Sequence, residues 1–512
     1  MTTQRVVVVG GGIAGLTAAY RLLHPTEAGA EMPRVVLIDS AERLGGKIHS
    51  TPFEGRLVDE GADAFLLRVP WATELCDELG ISAERISPAV GGASVAHTGG
   101  DAPQLTSLPD GLVGGVPTRL GPLLRSPLLG PLGPLGTLRA AADYVLPRRF
   151  TARRLEAASV GDIVRARLGA AVASQVVDPL LGSISAGDIN RLDAATSAPI
   201  LGQALERSRS LMWGLRRMQP APAADDSGPA PIFGSFEGGM GRLVEALMKR
   251  LDGCVLRLGT PVEAIRRPGT RFAIDTGSEV LDADAVIIAA PAHAAAQMLP
   301  AAPDAAAALG LIDYASVAVV TLSVRPDAID APHEAGFLVT RSTGWLTTAC
   351  SYGSAKWPNW AAGGDQPPEG VPHPAGDGVG GDGGHDGNPN VVLRVSVGRD
   401  SDDRHTRLDD GELRDTVLAE LSSLPPLRGL CDPTVVASWR VSRWPHSLPQ
   451  YRPGHGHLVD RIEEALAQEM PGVFVTGAAY RGLGIPACIR QGNEAAERAT
   501  AHLASASATA SP

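Results

Sequence analysis

Residues 5–9 (RVVVV) form an unbroken β-branched run, the pattern of a parallel strand buried on both faces. The glycine turn 10–15 (GGGIAG) follows at once, and LTAAYRLL then carries helix-forming residues. Arg34–Asp39 (RVVLID) is a second buried strand closing on an acid. Strand, turn, helix and strand within about forty residues match the size of one βαβ unit. Residues 57–64 (LVDEGADA) predict a strand running into a glycine turn.

From about residue 90 to 235 the pattern changes. PTRLGPLLRSPLLGPLGPLG is rich in Pro, Leu and Gly and breaks any long helix. Apolar spacing predicts helices over 153–170 and 192–218, with a loop over 219–231. FEGGMGRLVEALMKRL (236–251) is a glycine turn opening a helix, and CVLRLGTPVEAIRR alternates like a strand. Residues 283–291 form another buried strand, with further strands expected over 317–323, 336–340 and 391–397. The Gly/Pro/Asp-rich stretch 358–390 reads as a disordered surface insertion. A last buried strand (473–479) leads through a glycine-rich turn to a helix from about 488, with a tail expected to fray after 500.

The first and last strands share one style and are separated by unlike material. This predicts an α/β protein with a discontinuous Rossmann-like nucleotide domain built from 1–90, 235–295 and 455–505. A helical, membrane-side and substrate subdomain is expected over 90–235, and an α+β substrate-binding domain over 296–455.

Composition narrows the functional classes. At 512 residues the chain is long enough for two or three domains, and 20% charged against 44% apolar residues excludes a disordered chain. A net charge of −11 argues against a nucleic-acid surface. Only 4% of residues are aromatic, so the core is expected to be Ala, Val and Leu. The five cysteines are scattered without a CxxC pair, which suits a reducing compartment and argues against a disulfide framework or a structural zinc site. MTTQR enters the first strand without a secretory pattern. The longest uncharged stretch, 285–303, contains Pro291, His293, Gln297 and Pro300 and reads as strand end, loop and helix start, so no integral membrane segment is expected.

The candidate chemistry is Gly10-x-Gly12-x-x-Gly15 between strand and helix. Gly10 permits the tight turn, Gly12 the approach of a pyrophosphate, and Gly15 the close packing of helix on strand, with the helix N-terminus offering N–H donors. Asp39 stands where an acid hydrogen-bonds ribose hydroxyls. Arg43-Leu44-Gly45-Gly46-Lys47 adds a second glycine pair that brings backbone and Lys47 to the same ligand. The plain alternative is a glycine-rich turn in a domain that binds nothing, with Lys47 a solvated surface lysine. His455 and His457 lack a third ligand and read as structural, so no metal is assigned.

GGGIAGLTAAYRL, the spacing from Asp39 to RLGGK, and LVDEGADAF resemble the flavin-binding start of the FAD-dependent amine-oxidase-like superfamily. TACSYGSAKWP (348–358), SLPQYRPGH (447–455), VFVTGAAYRGLGIPACIRQGNEAA (473–496) and VVDPLLGSISAGDINRLDAATSAP (176–199) are similar to the protoporphyrinogen/coproporphyrinogen oxidase family. The resemblance spans nearly the whole chain except 358–390. It implies that Gly10, Gly11, Gly12, Ile13, Ala14 and Gly15 hold the FAD pyrophosphate and that Asp39 and Ser40 meet the ribose, where the family more often has Glu. It places Lys47, Gly61, Ala62, Asp63 and Ala64 on the flavin side, the Val262 backbone at the adenine, and Trp444, Leu483, Gly484 and Ile485 beside the isoalloxazine. Arg68, Ile184, Gly336, Phe337, Leu338 and Lys356 match or adjoin substrate-pocket positions; the plain alternatives are core packing for the apolar ones and surface salt bridges for Arg68 and Lys356.

The resemblance implies an enzyme in which flavin N5 does the redox chemistry and no catalytic acid–base pair is assigned. FLLR (65–68) and SLPDGLVGGVPT (107–118) resemble the soluble Gram-positive-type members, which implies cytoplasmic oxidation of coproporphyrinogen III in haem synthesis, with dioxygen as acceptor and hydrogen peroxide as product. Propionates of the substrate would suit Arg68, Lys356 or Arg341. The Leu/Pro run 120–138 leaves peripheral membrane contact open, as does transient contact with other haem-pathway enzymes. The rival readings are a protoporphyrinogen IX oxidase, a flavin amine oxidase or desaturase, and a non-enzymatic prenyl-protein escort on the same fold.

Overall fold

The computed structural model describes residues 4–25, 32–99, 102–145, 158–219, 231–330, 333–361 and 390–510. Its centre is a five-stranded parallel sheet in the order Val255–Arg257, Arg34–Ile38, Arg5–Val9, Ala285–Ile288, Val473–Val475. The β-branched run 5–9 explains itself by which face each residue takes. Val6 and Val8 pack with Leu16 and Ala18 of helix Ile13–Leu23 and with Ile489, Ala495 and Ala499 of helix Ile485–Ala510. Val7 and Val9 pack against Ala292, Leu309, Ile462 and Leu466 on the other face. A strand covered on both sides needs apolar residues at every position, not at alternate ones.

A second, seven-stranded sheet runs in the order Val436–Gln450, Asp313–Val324, Val391–Val397, Thr347–Tyr352, Gly336–Val339, Ser94–Gly99, Ala102–Ser107. One face buries Val320, Leu322, Phe337, Val395 and Val397 against Leu413, Val417 and Leu421 of helix Asp410–Ser422. The hairpin 94–107 joins this sheet through a parallel pairing of Ser94–Ala96 with Phe337–Val339, so the start of the 90–235 stretch is sheet, not helix. The helices over 158–217 hold a separate apolar cluster.

Several elements differ from expectation for identifiable reasons. The helix expected over 192–218 is three pieces, Ala194–Ser197, Pro199–Arg207 and Leu211–Arg217. Pro199 lacks an N–H and drives Ala198 out of helical geometry (φ −144°). Helix Val160–Leu168 starts at a Ser159/Asp162 capping box, and 153–157 lie outside the described residues. The alternating run 254–267 is not one strand: Val255–Arg257 joins the parallel sheet, and Ala264–Arg266 joins a small antiparallel one. The low-complexity stretch begins with structure, because Pro358–Ala361 is helical and Trp360 is 1% exposed beside Trp357; 362–389 lie outside the described residues. The tail is helical to Ala510 and does not fray at 500. The strand expected over 473–479 stops at Val475, where its partner Ala285–Ile288 also ends.

The first and last helices clasp each other over the parallel sheet. A Cβ on Gly492 would stand 2.5 Å from the Ala14 carbonyl oxygen and 3.0 Å from Thr17 Cβ. Gly492→Ala is therefore expected to destabilise the fold by about 2 kcal/mol, measured by denaturant unfolding, since the helices must separate to admit it.

Candidate cofactor and substrate site

In an open parallel sheet the ligand crevice lies beyond the carboxyl ends of the strands, where the chain order switches direction. Arg5–Val9 has Arg34–Ile38 on one side and Ala285–Ile288 on the other, so the switch falls at its end, on the turn Gly10–Gly15. Gly10 takes φ +109°, and a Cβ there would meet Ala289 backbone atoms at 2.8 Å. A Cβ on Gly15 would lie 1.9 Å from the Gly10 carbonyl oxygen, so only glycine lets the helix start this close. Gly12 differs: no described residue lies within 4 Å of the space its Cβ would fill. It caps helix Ile13–Leu23, whose first turn has no acidic residue and no side-chain cap. Open space in front of uncapped N–H groups is a fitting seat for a pyrophosphate.

Two neighbours frame the seat. Gly45 bridges to Gly12, and its N–H donates to the Gly11 carbonyl at 2.8 Å. Asp39 receives the N–H of Gly11 at 2.5 Å and that of Ala41 at 2.8 Å, so both oxygens brace the turn while each keeps a lone pair for a ribose hydroxyl. Ser40 is exposed beside it. Val262 is buried in the core at the rim of the sheet, and neither its N–H nor its C=O is hydrogen-bonded among the described residues.

Lys47 follows on the same turn. Its side chain is half-buried, and burial pushes its pKa down. No carboxylate partners it among the described residues; its neighbour Cys488 is a thiol that burial pushes up to about 12 and so keeps neutral. A desolvated cation without an anion is costly, and an anionic cofactor relieves that cost. These residues fit FAD.

The loop Glu60–Ala64 is clamped to the second sheet. Strand pairing puts Trp444, Ser442, Arg440, Arg394, Ser351, Ala349, Gly336 and Leu338 on one face. Trp444 Nε1 donates to the Glu60 carbonyl at 2.9 Å, and Arg394 donates to the carbonyls of Asp59 (3.3 Å) and Gly61. The Glu60 carboxylate takes Thr51 Oγ1 at 2.6 Å and Ser442 Oγ at 2.8 Å. Asp63 accepts Lys356 Nζ at 2.7 Å and Trp357 Nε1 at 3.2 Å. Burial alone would raise the Asp63 carboxyl; Lys356, Arg394 and Trp357 overcome it and hold the group well below the usual carboxylate range. Ala62 N–H donates to the Lys47 carbonyl at 3.2 Å, and Ala64 packs by Trp357. Leu483 and Gly484 lead into Ile485 at the start of the last helix, and Cys488 N–H donates to Gly484.

The expected substrate residues separate into groups. Gly336 and Leu338 face the clamp side. Phe337 points to the opposite face, 2% exposed in the core beside Tyr352, so the plain core reading holds for it. Ile184 is 62% exposed on the turn Ser183–Ser185. Arg68 is exposed and carries no ion pair among the described residues, whereas Lys356 is locked onto Asp63 and is not a free cation. His455 is structural: its Nε2 is paired with the Tyr480 carbonyl at 2.8 Å, and its ring stacks on Tyr451. Sequence reasoning missed Arg394, though a lone arginine inside VVLRVSV is a legible signal, because a charge in a buried strand needs a dedicated partner.

Two outcomes follow from this geometry. Gly12→Val, at an ordinary φ of −71° and in open space, is expected to leave the melting curve of the flavin-free protein within about 0.5 kcal/mol while abolishing flavin retention on purification. Asp59, buried behind the clamp, is pushed up to about 7 first by burial, against hydrogen bonds from Ser50 and Met240. A folded-state value above the unfolded one means stability that is full at low pH and lost as pH rises through about 7. Between pH 5 and 7 the wild-type chain is expected to lose on the order of 1 kcal/mol per pH unit more than Asp59→Asn in urea titrations; equal slopes would refute the assignment.

Comparison with known proteins agrees with this geometry. The flavin containing amine oxidoreductase family matches residues 13–500. The coproporphyrinogen III oxidase of Bacillus subtilis (strain 168) is 31% identical over 98% of this chain and 98% of its own length. That of Mycobacterium leprae (strain TN) is 31% identical over 98% of this chain and all of its own length. Among solved structures, a candidate protoporphyrinogen oxidase from Exiguobacterium sp. 255-15 superposes with a TM-score of 0.79 at 27% identity, covering 98% of this chain and 100% of its own. Cyclohexylamine oxidase of Brevibacterium oxydans IH-35A shares the fold at a TM-score of 0.64 and 16% identity. With its glycine turn, its paired Gly45–Lys47 turn and a family match running almost end to end, the chain belongs to the flavin containing amine oxidoreductases.

Proposed function

We propose that this chain is an FAD-dependent oxidase converting coproporphyrinogen III to coproporphyrin III, with dioxygen as acceptor, working in the cytoplasm. The observation that carries the reading is the extent of the likeness: relatives bearing that name match through the second sheet and the helices as well as the flavin half. The chemistry FAD supplies when bound is two-electron oxidation, which applied three times removes the six electrons separating a porphyrinogen from a porphyrin.

The chain's own residues then have positional tasks. The cradle and Lys47 hold the cofactor, and the Asp63–Lys356 pair with Arg394 holds the flavin-side loop against the sheet. Gly336 and Leu338 provide an apolar floor on that face. A Cβ on Gly336 would strike the Cys350 carbonyl at 2.2 Å, so the floor stays flat for a large ring. The exposed Ile184 gains cover when a macrocycle lies over it, and Arg68, exposed and without an ion pair among the described residues, offers a guanidinium to a propionate. No helix among the described residues is long and apolar enough to cross a membrane.

Protoporphyrinogen IX is the competing substrate, since the protoporphyrinogen oxidase 1 of Arabidopsis thaliana also matches, at 26% identity. The purified chain is expected to be yellow and, in a fluorescence assay under air, to oxidise coproporphyrinogen III with the higher kcat/KM, releasing hydrogen peroxide. A colourless protein, or no turnover of either porphyrinogen, would overturn the reading; a higher kcat/KM for protoporphyrinogen IX would reassign the substrate.

A further inference from the structure

Where the helices meet the second sheet, a small cleft of about 260 Å3, counting solvent at its mouth, is lined by Asp178, Ser183, Gly187, Arg341, Thr348 and Arg399. It shares no residue with the glycine cradle or the Asp63 clamp. Two guanidiniums and one carboxylate converge on it. Arg341 Nη2 donates to the Gly187 carbonyl at 2.6 Å, and its Nε lies 3.2 Å from Asp178 Oδ2. Arg399 Nη2 donates to the Thr347 carbonyl at 3.1 Å. Among the described residues the buried Nε of Arg399 has no hydrogen-bond partner, and that of Arg341 has only this ion pair.

The charges do not balance. Asp178 takes the Ile189 N–H at 3.2 Å on its other oxygen, and burial pushes its pKa up, which makes it a poor counter-ion. Arg399 is pushed down to about 10, first by burial and then by the charge of Arg341. The other carboxylates in range are taken. Asp400 is paired with Arg452 and Arg191, Asp402 with Arg404, and Glu420 receives the N–H groups of Leu346 and Thr347. Asp188, which adds to the rise at Asp178, receives the Asn190 N–H. Ser185 Oγ, a buried hydroxyl bordering Gly187 that can donate, also lacks a partner among the described residues. Among the described residues the site is short of one anion.

Its position relates it to the substrate face. Ser183 sits next to the exposed Ile184, and Thr348, the extra residue between the Thr347–Val397 and Ala349–Ser396 pairs, lines the cleft beside Ala349 of the clamp face, while Val339 lines it from the core side. We propose that the cleft receives one carboxylate arm of the macrocyclic substrate, so that Arg341 and Arg399 select a porphyrinogen with four carboxylates over one with two. The planar fork of arginine matches a carboxylate, and a substrate without that arm leaves both cations sharing Asp178. The inference rests on the porphyrinogen reading above.

The test uses the full chain carrying its flavin and three variants, Arg399→Gln, Arg341→Gln and Asp178→Asn. The stable products, coproporphyrin III and protoporphyrin IX, serve as binding probes by fluorescence. Arg399→Gln and Arg341→Gln are expected to weaken coproporphyrin III about tenfold, protoporphyrin IX less than about twofold, and to raise KM for coproporphyrinogen III more than they lower kcat. Asp178→Asn, whose amide oxygen still accepts the Ile189 N–H, is expected to tighten coproporphyrin III by about threefold or more, a gain that a merely structural role would not produce. The proposal is overturned if a flavin-loaded Arg399→Gln protein of wild-type melting temperature binds coproporphyrin III as the wild type does, if both porphyrins lose equally, or if Asp178→Asn weakens binding. Failure of the wild type to oxidise coproporphyrinogen III would instead sink the parent reading, and the binding arm would still decide the cleft.

Discussion

The structure depends on two glycine turns meeting over the carboxyl edge of a parallel sheet. Gly10–Gly15 and Gly45–Gly46 approach backbone to backbone; a Cβ on Gly46 would sit 3.2 Å from Gly12 Cα. Asp39 ties the first turn to the end of the Arg34–Ile38 strand through the Gly11 N–H. Because the brace is a charged oxygen on a backbone donor, the turn is held by a stronger bond than a neutral pair would provide. The N–H groups of the following helix are thereby fixed in place before any ligand arrives, which lowers the ordering cost of binding.

Around this seat the chain distributes charge unevenly. Carboxylates of the clamp are saturated: Glu60 by hydroxyls and Arg440, Asp63 by Lys356 and Trp357. Among the described residues Lys47 is left without an anion, and at the junction of helices and sheet Arg341 and Arg399 share one reluctant carboxylate. Saturated groups hold backbone in position, while unsaturated ones define where a ligand's negative charge belongs. The same low-dielectric surroundings give both effects their strength.

Much of the fold was legible because its elements carry redundant local signals. The run RVVVV, the glycine turn and the closing acid of RVVLID each point to the same βαβ unit. Boundaries failed where a single residue outweighed a periodic pattern. Pro199 split an otherwise continuous helical spacing, and the run 254–267 alternated correctly yet fed two different sheets, because alternation records a half-buried strand without naming its partner. Phe337 shows the same limit at the site. Its neighbours Gly336 and Leu338 face the clamp, but the pleat turns Phe337 into the core.

The linear chain alone determined the cofactor half of the protein. A turn that admits only glycine at defined spacings, followed by an uncapped helix, is a local property, and local properties are written in adjacent residues. Only the tertiary structure decided which cations are free. Arg68, Lys356 and Arg341 look alike in sequence, yet Lys356 is neutralised by Asp63 from nearly three hundred residues away, Arg68 is unpaired among the described residues, and Arg341 shares its counter-ion with Arg399. A charge is available or satisfied according to what lies within a few ångströms of it, and that neighbourhood exists only once distant segments have packed together.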